Sequence, residues 1–102
     1  MVEVKNIRIH NLDLIGIYLN LPQYPVHFIM STHTILAQDN FSIDYFEHYD
    51  RNVAVVLCRY TFGFEGLLDS EVVAVNHTAE KRGVRVGMKA KEAVMYCEEN
   101  TK

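Results

Sequence analysis

Long apolar runs are missing from this chain of 102 residues, and none approaches the about 18–20 residues that cross a bilayer as a helix, so no membrane span is expected. The opening MVEVKNIRIH alternates charged and apolar residues, without the basic head and apolar block of a secretory signal. Cysteine occurs twice, as Cys58 and Cys97, far apart and in no motif. Two thiols without an export signal read as reduced groups in a cytoplasmic protein, and Cys58, closing VAVVLC, reads as a small buried hydrophobe. A basic excess is also missing. The formal net charge is −3, whereas a duplex-reading domain draws much of its affinity from neutralised phosphates, so nucleic acid is not the expected partner.

Several chemistries lack their residues. GVRVG (83–87) has neither the Gly-x-Gly-x-x-Gly spacing nor a following Gly-Lys-Ser/Thr, so it is no phosphate loop. There is no Gly-x-Ser-x-Gly elbow. The five histidines, His10, His27, His33, His48 and His77, have no zinc-type spacing; the nearest approach to a metal set is His27 and His33 meeting across a hairpin, with Asp39 joining them. DNFSIDYFEHYD (39–50) has acids at both ends but no glycine for the sharp turn of a calcium loop. No metal or cofactor is expected.

What is present suits one domain, residues 1–102, with a β-rich half (1–62) and a helical half (63–102). Hydrophobic residues make up 49% and charged residues 23%, and a chain of this size buries roughly 65% of its unfolded surface, enough for one modest core. VEVKNIRIH alternates with a slip at Asn6, where a bulge is expected. In LIGIYLNL, Ile15, Ile17, Leu19 and Leu21 fall on one face, and a hairpin turn is expected between the two runs, at Asn11 to Asp13. Pro22 and Pro25 predict a loop over PQYP. VHFIM and TILAQ read as strands joined at Ser31–His33, and Ser42 as the cap of a short helix carrying Phe41, Tyr45 and Tyr49 along one side. NVAVVLCRYTF is apolar with little alternation, the pattern of a strand covered on both faces, and is expected at the centre of the sheet.

Gly63 and Gly66 predict a turn with at most one helical turn. Asp69 or Ser70 would then cap a helix through Val72, Val75 and Ala79, with a strand over Val72–Val75 as the alternative. Gly83 is expected at the left-handed C′ position, with Val84 covering the last turn, and Gly87 at a second bend. From Met88 to Glu99 helical spacing resumes, with Ala90, Ala93, Val94 and Cys97 on one face. The expected fold is α+β, two layers: a mixed, mainly antiparallel sheet of about five strands with C-terminal helices packed on one face.

Charge is unevenly spread. Glu80–Glu92 holds Lys81, Arg82, Arg85, Lys89 and Lys91, whereas Asp39–Asp50 holds four acids and no Lys or Arg, an opposition that suits self-association. The basic stretch reads as the joint between two packed helices. Charged residues at strand ends are where α/β sites form, which nominates His33, Asp39 and Arg59 as a candidate polar cluster.

The C-terminal pattern, Phe64, Leu67, Leu68, Ala79, Gly83, Val84, Val86, Gly87, Met88, Glu92 and Ala93, resembles the YunC-like domain of unknown function found in bacteria and archaea, and Asn20–Pro22 matches its Leu-Pro step. The resemblance implies a small α/β domain whose N-terminal β region makes a homotetramer, and no established activity. The chain departs from the family at Lys89, where a hydroxyl residue would complete a capping box with Glu92. It departs again at Leu36–Gln38, in place of Met-Cys-Gly, and at Tyr60–Gly63, which puts any site at those positions in doubt. The expected function is a cytoplasmic homo-oligomeric module for self-assembly or small-ligand binding. The alternatives are a small enzyme with a site between subunits and nucleic-acid binding through the C-terminal helix pair.

Overall fold

The structure, a computed structural model, describes residues 2–39, 41, 43, 52–59 and 63–99. Six strands form one sheet in chain order: β1 (Val2–Ile9), β2 (Leu12–Leu21), β3 (Tyr24–Met30), β4 (Thr34–Gln38), β5 (Ala54–Cys58) and β6 (Val72–Val75). All neighbours pair antiparallel except β4 and β5, which are parallel. Helices α1 (Gly63–Asp69), α2 (His77–Lys81) and α3 (Ala90–Glu99) complete the chain. The fold is mixed α+β and mainly antiparallel, with one strand more than expected.

β1 and β2 form a hairpin with a two-residue turn, His10–Asn11, and His10 takes the positive φ of 55°. Asp13 lies within β2 opposite Arg8, and the register from Val2↔Leu19 to Ile9↔Leu12 is unbroken, so Asn6 carries no bulge. PQYP is not a loop throughout. Pro22–Gln23 make the turn, Gln23 at φ 57°, and Pro25 sits inside β3 opposite Asn20. The missing N–H of Pro25 falls past the last paired residue on the β4 side, where the strand ladder loses nothing.

β5 is buried at every position, as its unbroken apolar run requires, but stands fifth in the order rather than in the middle. Val72–Val75 is a strand, not a helix. Its β-branched residues pair with β5 on one side. On the other, Val72 N–H donates to the Met88 carbonyl (2.9 Å) and Gly87 N–H to the Val72 carbonyl (2.9 Å). Ladders on both edges outcompete the helical spacing that links Val72, Val75 and Ala79. A bulge at Leu57/Cys58 shifts the register of β5 against β6.

The cap lies later than expected, at Asn76, and Gly63–Asp69 forms a helix rather than a turn. Asn76 Oδ1 accepts from Ala79 N–H (3.0 Å) and Val55 N–H (2.9 Å), while Nδ2 donates to the Val53 carbonyl (2.9 Å). One buried amide therefore starts α2 and prolongs the β5–β6 ladder. Gly83, at φ 101°, donates to the Glu80 carbonyl (3.1 Å) and Val84 to that of Ala79 (3.2 Å), the paired bonds of a Schellman ending. Ala90, Ala93, Val94 and Cys97 are buried as their spacing requires.

The main core lies between the sheet and the helices, built from Leu14, Ile29, Leu36, Val56, Leu67, Val72, Val84 and Val94 among others. Gly16 seats the ring of Phe64 on β2, where an added Cβ would lie 2.9 Å from the ring. The outer face of the sheet is divided. Over β4 and β5, Phe41 and Ile43 pack with Ala37, Val55 and Leu57, and Phe41 meets Phe28 edge-on at 5.2 Å. Over β1 to β3, rows such as Val4–Ile17–Phe28 and Val2–Leu19–Val26 cross the strands. Val2 is 63% exposed there, Val4 64%, Ile15 45% and Leu21 44%. The helix expected after Ser42, with Tyr45 and Tyr49, lies outside the described residues.

Candidate functional site

Two polar clusters lie at opposite ends of the parallel pair β4–β5. Gln38 and Cys58 close the two strands in register, so Asp39 and Arg59 leave the sheet side by side at its carboxyl end. Both are exposed. The Arg59 guanidinium reaches Glu71 at 3.9 Å, an exposed pair that adds little stability. His33 is not with them. It precedes β4 and lies about 20 Å away, six residues of extended chain. The candidate trio is thus divided, and His27, His33 and Asp39 do not converge on a metal. Among the described residues no group of three or more His, Cys, Asp or Glu side chains is arranged to hold one.

The histidine at the carboxyl end is His27, which is buried. Gln38, also buried, continues the ladder where β4 has ended: its Oε1 accepts the His27 N–H at 2.9 Å and its Nε2 donates to the Pro25 carbonyl at 3.1 Å. Those two backbone partners orient the amide. His27 Nδ1 lies 3.2 Å from the same Oε1, and with the amide so oriented it is the donor of that contact. The ring stacks on Tyr18 at 4.5 Å and meets Phe64 edge-on at 5.6 Å. Beneath this cluster burial pushes the Cys58 thiol up to about 12, partly offset by a hydrogen bond with Ser70. It is not a nucleophile at neutral pH.

At the amino end, Glu98 Oε2 accepts from the hydroxyls of Ser31 and Thr34, each at 2.6 Å, and fastens α3 to the β3–β4 turn. Arg82 is 5% exposed. Its Nη1 donates to the His33 carbonyl (3.1 Å), and its Nη2 to the carbonyl (3.1 Å) and Oδ1 (3.0 Å) of Asn52. His33 thus enters through its backbone. Cys97 lies nearby, its thiol raised to about 11 by burial, with Arg82 pulling the other way. A shallow depression of about 250 Å³ opens beside Glu98, between His10, Asn11, Leu12, Met95 and Glu99. This seam holds α3 and the loop before β4 on the sheet.

Of the basic joint only Arg82 is buried, while Lys81, Arg85, Lys89 and Lys91 are exposed. Arg82 points inward, Arg85 Nη1 donates to the Val84 carbonyl (3.2 Å), and Lys91 pairs with Asp69 at 3.4 Å. α2 has five residues and α3 ten, so the joint links one short helix to one longer helix.

Sequence reasoning missed Gln38, Asn76, Arg82 and Glu98. Parity could have found Gln38, which shares the inward-facing parity of Thr34 and Leu36, and a polar residue there demands partners. Asn76, three residues before Ala79, has the spacing of a cap. Nothing local separates Arg82 from Lys81.

No protein-family model and no curated protein matches the chain. Among solved structures it is similar to the crystal structure of a protein of unknown function, TA1206 from Thermoplasma acidophilum. The TM-score is 0.85 at 16% identity, over 93% of this chain and 91% of that one. At this identity the likeness establishes a shared mixed α+β fold and carries no function.

Proposed function

We propose that this chain is a cytoplasmic self-assembling domain whose copies meet through the outer face of β1–β3, as a homotetramer. One observation carries the reading: Val2, Val4, Ile15 and Leu21 are 44–64% exposed on the same sheet face as the half-buried Ile17, Leu19, Phe28 and Met30. Three strands about 4.8 Å apart and about 23 Å of β2 outline on the order of 350 Å². An apolar area of that size is comparable with the largest patch on a typical monomer, which is often functional, and its partly exposed rows are where a second copy would gain most by docking. The resemblance to the YunC-like family supports the same reading, through the N-terminal assembly it implies.

The test is sedimentation velocity at micromolar concentration, with Ile17→Glu as the variant. Wild-type protein should sediment as several copies. Ile17→Glu, which adds a charge to the outer face and leaves the core unchanged, should give smaller particles with an unaltered far-ultraviolet circular dichroism spectrum. A folded single wild-type copy would end the proposal. A second reading, a small-ligand or enzyme site between copies, rests on Asp39 and Arg59 leaving adjacent parallel strands together. It requires some metal, nucleotide or metabolite to raise the thermal midpoint. No response across a broad panel would leave self-assembly alone.

A further inference from the structure

The outermost strand, β1, has β2 on one side and, among the described residues, no strand on the other. It is eight residues long, without proline or bulge, so it lacks two of the devices that blunt an exposed edge. The charges Glu3, Lys5 and Arg8 remain, and their order is informative.

Two-residue turns close the hairpins on both sides of β2, so Ile9 and Leu12, and likewise Leu21 and Tyr24, are hydrogen-bonded pairs. It follows that the odd-numbered residues of β1 direct their N–H and C=O toward β2. Val2, Val4, Asn6 and Arg8 direct theirs outward. A second β1 can complete this edge only in a register that sets outward groups against outward groups. Centred on Glu3 or on Lys5, such a register opposes two like charges across the axis, which is unfavourable. Centred on Asn6, it sets Val4 against Arg8 and Lys5 against Ile7. Centred on Val4, it sets Glu3 against Lys5 twice, Val2 against Asn6 twice, and Val4 against Val4. The Lys5 that discourages indiscriminate pairing finds a carboxylate in this one arrangement.

We propose that β1 pairs antiparallel with β1 of a second copy around a two-fold axis at Val4, making one twelve-stranded sheet. This rests on the self-assembly reading for its partner and adds a second interface. Side chains directly opposite in a sheet share a face, so Val2 and Val4 of both copies fall on the outer side. The two apolar faces then join into a strip of on the order of 700 Å², near the about 800 Å² per partner of a standard interface. Two such pairs, stacked strip to strip, give four copies with closed symmetry and cover both exposed regions.

The edge is broken by Val4→Pro. Proline is tolerated where its nitrogen faces away from the ladder, so each copy keeps its fold and the particle should fall from four copies to two by sedimentation. Lys5→Glu should do the same, and Glu3→Lys with Lys5→Glu should restore four. Ile17→Glu acts on the face instead and should leave two copies joined by β1. In wild-type protein the Val4 and Asn6 amides should exchange with deuterium about tenfold or more slower than that of Arg8, which the register leaves without a partner. A folded Val4→Pro particle of wild-type size overturns the edge pairing and leaves the face reading standing. So does a Val4 amide as fast as that of Arg8, or a charge swap that restores nothing. A single wild-type copy overturns both.

Discussion

β2 and β5 both turn apolar residues to the outer face of the sheet, and the two rows meet different surroundings. β5 is apolar at every position and buried at every position, under α3 on one side and under Phe41 and Ile43 on the other. β2 also carries apolar residues toward both sides, with Leu12 and Leu14 facing the helices and Ile15, Ile17, Leu19 and Leu21 facing out, but among the described residues only its inner side is packed against the main core. An unbroken apolar strand is the mark of cover on both faces. In β5 the chain supplies both covers. In β2 the described residues supply one, and the apolar outer row is what the self-assembly proposal accounts for.

The covered half is held by buried polar partners, and the sharpest way to break the contrast is at Asn76. Asn76→Ala leaves two N–H groups and one carbonyl without their side-chain partner, and should cost about 3 kcal/mol or more, read from the urea midpoint. The open half should be less sensitive on its outer side and sensitive only where it meets the helices. Gly16→Ala puts a Cβ 2.7 Å from Ile7 Cδ1 and 2.9 Å from the Phe64 ring, and should cost about 1–3 kcal/mol. Phe64→Leu should recover part of that loss, a coupling that a double-mutant cycle measures.

The two thiols sharpen the comparison from the covered side. Cys58 and Cys97 form no disulfide and are fully buried, and thiol reagents should label neither until the protein unfolds. Their folded values, about 12 and about 11, lie above the ordinary 9.0, so the stability they contribute is present below pH 9.0. It is lost as the pH rises through those folded values, because the unfolded chain releases its thiol protons first. The thermal midpoint should therefore fall across that alkaline range, and less so in the double Cys→Ala variant. The smallest effect is at the cap of α3. Glu92 already reaches back to the Lys89 N–H at 3.4 Å, half of a capping box, so Lys89→Ser should add about 0.5–1 kcal/mol to the unfolding free energy.

Strand identity was legible wherever one local signal acted alone. Alternation revealed the outer row of β2, β-branched density revealed β5, and Gly83 revealed the end of α2. The errors came where tertiary partners override local preference. Val72–Val75 fits helical spacing with Ala79, but two ladders make it a strand, and Pro25 sits in a strand because its missing donor falls beyond the end of β4. The candidate cluster failed on geometry. Asp39 and Arg59 end neighbouring parallel strands, as charged residues after two apolar runs can, but His33 stands before β4 and its proximity in sequence is undone by the strand's length. Parity marks Gln38 as inward-facing, but the partners of Gln38, Arg82 and Glu98 lie 11 to 67 residues away, and no local pattern names them.

The central claim is that a second copy covers the outer side of β1–β3, and hydroxyl-radical footprinting across a dilution series measures that cover directly. Oxidation of Met30, Phe28, Ile17 and Ile15 should be low at micromolar concentration and rise as the particles dissociate, while Leu36 and Val56 stay protected throughout. Full labelling of the outer row at every concentration, in a protein whose core remains protected, would contradict it.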